Sequence, residues 1–270
     1  MSEASATVPE EGTVERWAWD YVVSESLAYK LAPPPPPERW EATPTSRRLD
    51  VPGRPPELVI ATKRTKTPKP AALVRPDKRA ELLHVFFHHE LQAAELLLRA
   101  ALLFAEEDLA FRRGLVRIAR DEIRHMALYV AHLAKLGYAV GDFPVRDWFW
   151  ERVPSAKDAA SFVALLGVGF EGANLDHTRR FAQAFRDAGD EEGAALQDRV
   201  GDEEIAHVRF AATWLERFTG RPVSLDGWME ALPSPITPLV LRGQPLDRER
   251  RRRAGLDDAF LDALEAWSPS

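Results

Sequence analysis

Apolar residues recur with a helical period through the centre of the chain. Between residues 78 and 107 they stand at 83, 86, 87, 94, 97, 101 and 104. Between residues 108 and 137 they stand at 115, 118, 119, 126, 129, 130 and 133, and the stretch ends at Gly137, a typical C-cap residue. Spacings of three and four residues are typical of an α-helix that buries one face. Because few residues separate the two stretches, the pattern predicts two long antiparallel helices.

A second pair of long helices is predicted after an interruption. Residues 138–154 carry Gly141, Pro144 and Pro154 and several bulky aromatic residues, which indicates a long connection. The sequence Ser-Ala-Lys-Asp at 155–158 has the form of a capping box, so we expect the third helix to start there and to run to about Gly189. A fourth helix is expected over 194–218. Connections in the order short, long, short predict an all-α fold, a ferritin-like four-helix bundle.

The two ends of the chain differ from this centre. Residues 1–65 include five consecutive prolines at 33–37, which favour an extended polyproline segment, and residues 14–32 are predicted to form one helix with Trp17, Tyr21 and Leu27 facing inward. We interpret 1–65 as an arm that lies on the main domain; a disordered tail is the alternative. The bundle is assigned to 66–220, and 221–270 to a C-terminal extension packed on it.

Composition narrows the chemistry and the cellular setting. The chain has no cysteine, so disulfides, thiolate metal sites and cysteine nucleophiles are excluded, and any metal must be held by oxygen and imidazole nitrogen. The sequence has no run of about 18 apolar residues, so it gives no indication of a transmembrane helix. The acidic N-terminus lacks the form of a secretory signal, and we expect a cytoplasmic protein.

The charge of the chain bears on nucleic-acid binding. The net charge of −6 argues against a protein that coats nucleic acid. The basic run Arg-Glu-Arg-Arg-Arg-Arg at 248–253 is interpreted as a solvated or intramolecularly paired face, with an RNA contact as the alternative.

Candidate chemistry lies in a motif that occurs twice. Glu122 and His125 form one Glu-x-x-His and Glu204 and His207 form a second, 82 residues later. Residues three apart share a helix face, so the glutamate and the histidine of each motif can bind the same metal. A single copy is weak support for a metal site, because Glu and His fall three apart by chance in many helices.

One glutamate interrupts the apolar face of each remaining helix. Glu90 precedes Glu122 by 32 residues and Glu171 precedes Glu204 by 33, so the two halves match; Glu95, the alternative on the first helix, reduces the first spacing to 27. Four carboxylates can neutralise two divalent cations, and one imidazole per metal leaves positions open for water, dioxygen or substrate. The pattern predicts one di-metal site.

Glycines surround one of these glutamates. Gly167, Gly169 and Gly172 lie around Glu171, and each costs roughly 1 kcal/mol relative to alanine inside a helix. We therefore expect a close backbone approach, a helical bulge, or space for a substrate beside the metals. His88, His89 and His177 are interpreted as surface or packing residues.

The chain resembles the ferritin-like di-iron carboxylate superfamily, and more closely the uncharacterised ferritin-like family catalogued as domain of unknown function 455. The stretches that carry the resemblance span most of the chain: LAYKLAPPPPPERW, VPGRPPEL, HHELQAAEL, RDEIRHM, GDFPVRDWFWERV, GFEGANLD, DEEIAHV and RERRRRAGL.

The resemblance implies a set of ligands. Glu90, Glu122 and His125 are expected on one metal and Glu171, Glu204 and His207 on the other, with Glu122 or Glu204 bridging. It further implies that the acid before each motif glutamate hydrogen-bonds the histidine of the other motif and fixes its tautomer. These acids are Asp121 and Glu203.

The expected function follows from the same resemblance. We expect two metal ions, iron in the first place with manganese or a mixed pair also compatible, and dioxygen as co-substrate of an oxidase or hydroxylase. Its substrate is expected to be a small molecule. The substrate's identity, catalytic residues beyond the ligands and the choice between monomer and dimer are left open. A ferroxidase-type metal-handling protein and a tRNA-modifying hydroxylase are the alternatives.

Overall fold

A computed structural model describes residues 7–63 and 67–269. Regular structure in these ranges is helical, apart from an isolated bridge between Ile60 and Val145, so the all-α prediction is confirmed. None of the described helices is long and apolar enough to cross a membrane. The chain divides into two compact units: the first comprises the described residues of Met1–Thr67 and Ala80–Pro154, the second those of Pro68–Arg79 and Ser155–Ser270. The ferritin-like arrangement of the four long helices stays a prediction.

The first unit is built from four helices. They are α1 (Val14–Val23), α2 (Leu27–Leu31), α3 (Pro76–Leu103, in this unit from Ala80) and α4 (Leu109–Lys135). The prediction of one helix over 14–32 is wrong, because Ser24 is extended and Ser26 caps a new helix by accepting a hydrogen bond from the Tyr29 amide. Trp17 and Tyr21 are buried as predicted, whereas Leu27 is partly exposed.

Helices α3 and α4 pack antiparallel. The rings of Phe86 and Tyr129 lie 5.7 Å apart, and at the other end Arg112 Nε donates a 3.1 Å hydrogen bond to the carbonyl of Ala101. Residue numbers therefore rise along α3 as they fall along α4. Gly137 follows the end of α4 with φ of 84°, which confirms the predicted C-cap glycine.

A second face of α3 carries buried polar residues at helical spacing. They are His84, His88, Gln92, Glu95 and Arg99. His84 Nε2 accepts the Gly141 amide at 2.8 Å, and Gln92 Oε1 accepts the Phe149 amide at 3.0 Å. Burial lowers the pKa of His84 to about 4, which keeps the imidazole neutral as an acceptor. This face thus holds the connection after α4 in place.

Glu95 is the centre of a buried charge network that holds the N-terminal arm. Its carboxylate accepts hydrogen bonds from Lys30 Nζ at 2.8 Å, Arg54 Nη1 at 2.6 Å and Trp150 Nε1 at 2.8 Å. The side chains of Lys30 and Glu95 are fully buried. Two cations of the arm therefore neutralise one carboxylate of α3. Within the described residues of this unit the arm thus contacts α3, and its assignment as an arm on the main domain stays a prediction.

Asp147, in the connection after α4, extends this network. It accepts Arg54 Nε at 3.0 Å and lies 3.0 Å from His88 Nε2. Burial alone would raise the pKa of Asp147, but the hydrogen bonds with His88 and Arg54 lower it to about 2. His88 is therefore a buried, paired residue rather than a surface residue.

The second unit contains the remaining helices. A 3₁₀ turn at Pro70–Val74 precedes α3, and the later elements are α5 (Ala159–Phe162), a π-helix (Val163–Glu171), α6 (Gly172–Asp187), α7 (Glu191–Thr219), α8 (Leu225–Ala231), α9 (Arg248–Arg253) and α10 (Asp258–Ala266). The predicted helix start at Ser155 is wrong: Asp158 is the N-cap, and its side chain accepts the Ser161 amide at 2.8 Å.

Helices α6 and α7 pack antiparallel, like α3 and α4. Asn174 Nδ2 donates to Glu204 Oε1 at 3.2 Å, and a Cβ at Gly201 would lie 2.3 Å from Thr178 Oγ1. Residue numbers again rise on one helix as they fall on the other. A glycine at 201 is therefore required by the close approach of the two helices.

The C-terminal extension packs on α6 and α7 through buried charges. Arg251 donates to both oxygens of Asp176, at 3.0 and 2.8 Å, and both side chains are fully buried. The other arginines of the basic run also pair with acids of this unit: Arg248 with Asp258, Asp262 and Glu265, Arg250 and Arg253 with Asp202, and Arg252 with Asp258. The interpretation of the run as an intramolecularly paired face is confirmed.

The buried network predicts a large stability effect. In Glu95→Ala, Lys30 and Arg54 lose the carboxylate that neutralises them, and we expect the free energy of unfolding to fall by about 3–5 kcal/mol. Urea denaturation followed by far-UV circular dichroism measures the change. Glu106→Ala, at an exposed position just after the same helix, is the matched control and should unfold like the wild type. An unchanged midpoint for Glu95→Ala would contradict the network.

Candidate metal centre

Three predicted ligands come together in the first unit. Glu90 projects from α3, and Glu122 and His125 share one face of α4. His125 Nδ1 lies 3.2 Å from Glu122 Oε2 and 4.0 Å from Glu90 Oε2. One potential ligand atom of each residue lies within 4.8 Å of those of the other two. Glu90, rather than Glu95, thus stands beside the Glu-x-x-His motif of this unit.

Three further predicted ligands come together in the second unit. Glu171 ends the π-helix, and Glu204 and His207 share one face of α7. His207 Nδ1 lies 2.8 Å from Glu204 Oε2, and one potential ligand atom of each of the three residues lies within 4.8 Å of the other two. Both units therefore place a glutamate of one helix against a Glu-x-x-His of its antiparallel neighbour.

The donor set and its burial fit a metal ion. All six side chains are buried, with relative exposures between 0% and 6%: Glu90, Glu122, His125, Glu171, Glu204 and His207. With a neutral imidazole, each triad carries two negative charges, and buried charge is costly unless it is matched by opposite charge. Carboxylate oxygen and imidazole nitrogen are ligands of iron, manganese and zinc. These buried groups could therefore bind metal ions.

The backbone around Glu171 departs from an α-helix as the glycines predicted. Residues 163–171 form a π-helix, the bulge among the three options that the sequence left open. A Cβ at Gly167 would lie 2.2 Å from Ala211 Cβ of α7, so close approach is also present. π-helical turns inside α-helices are frequently found at functional sites. Glu171 is the last residue of this π-helix.

The acids before each motif have neighbours within their own helices. Asp121 accepts Arg124 Nη2 at 2.8 Å, and Glu203 accepts Arg199 Nε at 3.2 Å. Their expected hydrogen bonds to the histidines of the opposite motifs stay predictions.

Two polar features were not predicted from the sequence: the hydrogen bond of Asn174 to Glu204 and the buried polar face of α3. Asn174, three residues after Glu171, donates to Glu204, and this i, i+3 spacing from a ligand is the signal that could have identified it. His88 and Glu95 belong to the buried polar face of α3, whose spacing of four and three residues is likewise visible in the sequence. A search for apolar helix faces alone identifies neither Asn174 nor the polar face of α3.

Comparison with known proteins identifies the family. A family model described as "Protein of unknown function (DUF455)" matches residues 13–262. The chain belongs to this family. A curated relative, an uncharacterised protein of Haemophilus influenzae, is 32% identical over 143 residues, 50% of each chain, so the chain spans about half the length of that relative in the match. No solved structure matches the chain.

Both triads are predicted to bind metal, and each can be tested separately. Glu122→Ala and His207→Ala each remove one of three protein ligands and should weaken binding of Fe²⁺ or Mn²⁺ by more than about tenfold. Losing only an outer hydrogen-bonding partner of a ligand already costs about that much. Elemental analysis and Mn²⁺ titration measure the change.

Glu216→Ala, at an exposed position on α7, is the control and should bind metal like the wild type. Wild-type metal content in both ligand variants would contradict the assignment.

Proposed function

We propose that each triad holds one metal ion and that this family member is a di-metal carboxylate oxidoreductase that uses dioxygen to oxidise a small organic molecule. The observation that carries the proposal is the repetition of one arrangement in two units. In each unit a glutamate on one helix lies against Glu-x-x-His on the antiparallel helix that follows. Ferritin-like di-metal proteins take a glutamate from each of two helices and a Glu-x-x-His from each of two others, and the two hairpins supply this set of residues.

Each residue has a role in this proposal. Glu90, Glu122 and His125 hold one ion, and Glu171, Glu204 and His207 hold the other. Asp121 and Glu203 orient the imidazoles by accepting a hydrogen bond from the ring N–H that does not face the ion. Asn174 restrains the Glu204 carboxylate through its hydrogen bond to Oε1.

The chemistry comes from the bound ions, and the protein supplies the site. Two divalent ions, each held by two carboxylates and one imidazole, would supply dioxygen activation when bound. The burial of the six side chains keeps bulk water from them, which strengthens every electrostatic interaction of the site. We propose iron as the resident metal; the donor set also accepts manganese or a mixed pair.

The two alternatives differ in substrate. A ferroxidase-type protein needs the same ligands but consumes no organic compound. A tRNA-modifying hydroxylase needs a cationic surface for phosphate. The pairing of the run 248–253 with acids of its own unit leaves that segment poorly suited to such a surface. We therefore propose a small-molecule substrate.

The proposal predicts substrate-dependent dioxygen consumption. Iron-loaded protein should consume little dioxygen beyond the oxidation of its own iron, and should consume it catalytically once a small-molecule fraction of a cell extract is added. An oxygen electrode and mass spectrometry of the fraction measure the two effects. The variant His207→Ala should abolish the added uptake and Glu216→Ala should preserve it.

The other outcomes separate the alternatives. Repeated oxidation of added Fe²⁺ with no change in any organic compound would contradict the proposal and support the ferroxidase-type alternative. Uptake that needs the RNA fraction and is lost after ribonuclease treatment would replace it with the RNA hydroxylase.

A further inference from the structure

We propose that the C-terminal extension positions Glu171 for metal binding, and that Trp228 is the main positioning residue. Trp228 holds the π-helical segment, defined as Val163–Glu171, and through it the ligand at the segment's end. The consequence for metal binding rests on the proposed function. The effect on the segment itself can be measured in metal-free protein.

Trp228 makes a buried hydrogen bond to the start of the π-helical segment. It lies on α8 and is fully buried, and its indole Nε1 donates to the carbonyl of Ala164 at 2.8 Å. The ring of Phe260, from α10, packs against it with centroids 5.7 Å apart. A backbone carbonyl has two lone pairs, so it can accept the indole in addition to a helical amide.

Two further residues of the extension contact the same region. Leu241 Cδ2 would lie 3.0 Å from a Cβ at Gly169, and Arg251 Nη1 would lie 3.3 Å from a Cβ at Gly172. Arg251 is itself fixed by the bidentate pair with Asp176, on the turn of α6 that follows. The extension therefore contacts the segment near its start, near its end and just after Glu171.

These contacts explain how an unfavourable helical form can persist. A π-helix is rare, and its i→i+5 hydrogen bonds compete with the i→i+4 bonds of an α-helix. Each residue of an α-helix turns by about 100°, so a change of hydrogen-bond pattern inside the segment rotates one flank against the other. Such a rotation would carry Glu171 away from Glu204 and His207. Contacts at both ends of the segment oppose it.

The test compares two substitutions of the same chemical kind. Trp228→Phe removes the indole N–H from Ala164 and keeps an aromatic ring. Trp17→Phe, in the first unit, removes a comparable bond, from Nε1 to the Pro34 carbonyl at 2.7 Å, and is the matched control. Should Trp228→Phe fail to fold, Leu241→Ala removes the contact at Gly169 and should act on the same residues.

In metal-free protein, amide hydrogen exchange over residues 163–171 should be about five- to tenfold faster in Trp228→Phe, the effect of one net hydrogen bond, and unchanged in Trp17→Phe. In Mn²⁺ titrations, Trp228→Phe should weaken binding at the Glu171 triad by about tenfold, the lower end of the effect of losing a group bonded to a ligand, because Trp228 acts on Glu171 through the segment. Binding at the Glu90 triad should weaken less.

Exchange over 163–171 that equals the wild type in both Trp228→Phe and Leu241→Ala would overturn the inference. Faster exchange with unchanged Mn²⁺ affinity would also overturn it, because Glu171 would then not depend on the segment. If the wild type binds no Mn²⁺, the proposed function fails, and the exchange experiment alone decides whether Trp228 holds the segment.

Discussion

A carboxylate that is removed from water must be matched by positive charge or by strong hydrogen bonds, and this constraint governs both units. Glu95 is matched by Lys30 and Arg54, which thereby fix the N-terminal arm to α3. Asp176 is matched by Arg251, which fixes the C-terminal extension to α6. The two buried triads place the same demand on their surroundings. A divalent cation is the partner that suits two carboxylates and an imidazole.

The helical period and the duplicated motif were sufficient to predict much of this. The four long helices and the antiparallel pairing of α3 with α4 follow from spacing, because three- and four-residue periodicity reports which side chains share a face of a helix. The grouping of Glu90 with Glu122 and His125 needs the family resemblance as well. The bulge before Glu171 was one of three options, since glycine in a helix signals an irregularity without specifying its kind.

Other features depend on contacts that the local sequence does not encode. The break between α1 and α2 and the helix start at Ala159 are set by side-chain caps at Ser26 and Asp158 that compete with equally plausible neighbours. The polar face of α3 is covered by the arm and by the connection after α4, which are distant from it in the sequence. Trp228 meets Ala164 across 64 residues of chain. The sequence around Trp228 does not indicate that it contacts Ala164, and the sequence around Ala164 does not indicate Trp228.

The number of Mn²⁺ ions that the chain binds tests most directly whether each triad holds a metal ion. Wild-type protein should bind two Mn²⁺ ions per chain, and electron paramagnetic resonance of the unbound Mn²⁺ measures that number. Glu122→Ala and His207→Ala should each lose one of the two strong sites and keep the other. A wild-type chain that binds no Mn²⁺, or variants that both bind two ions as tightly as the wild type, would contradict the proposal.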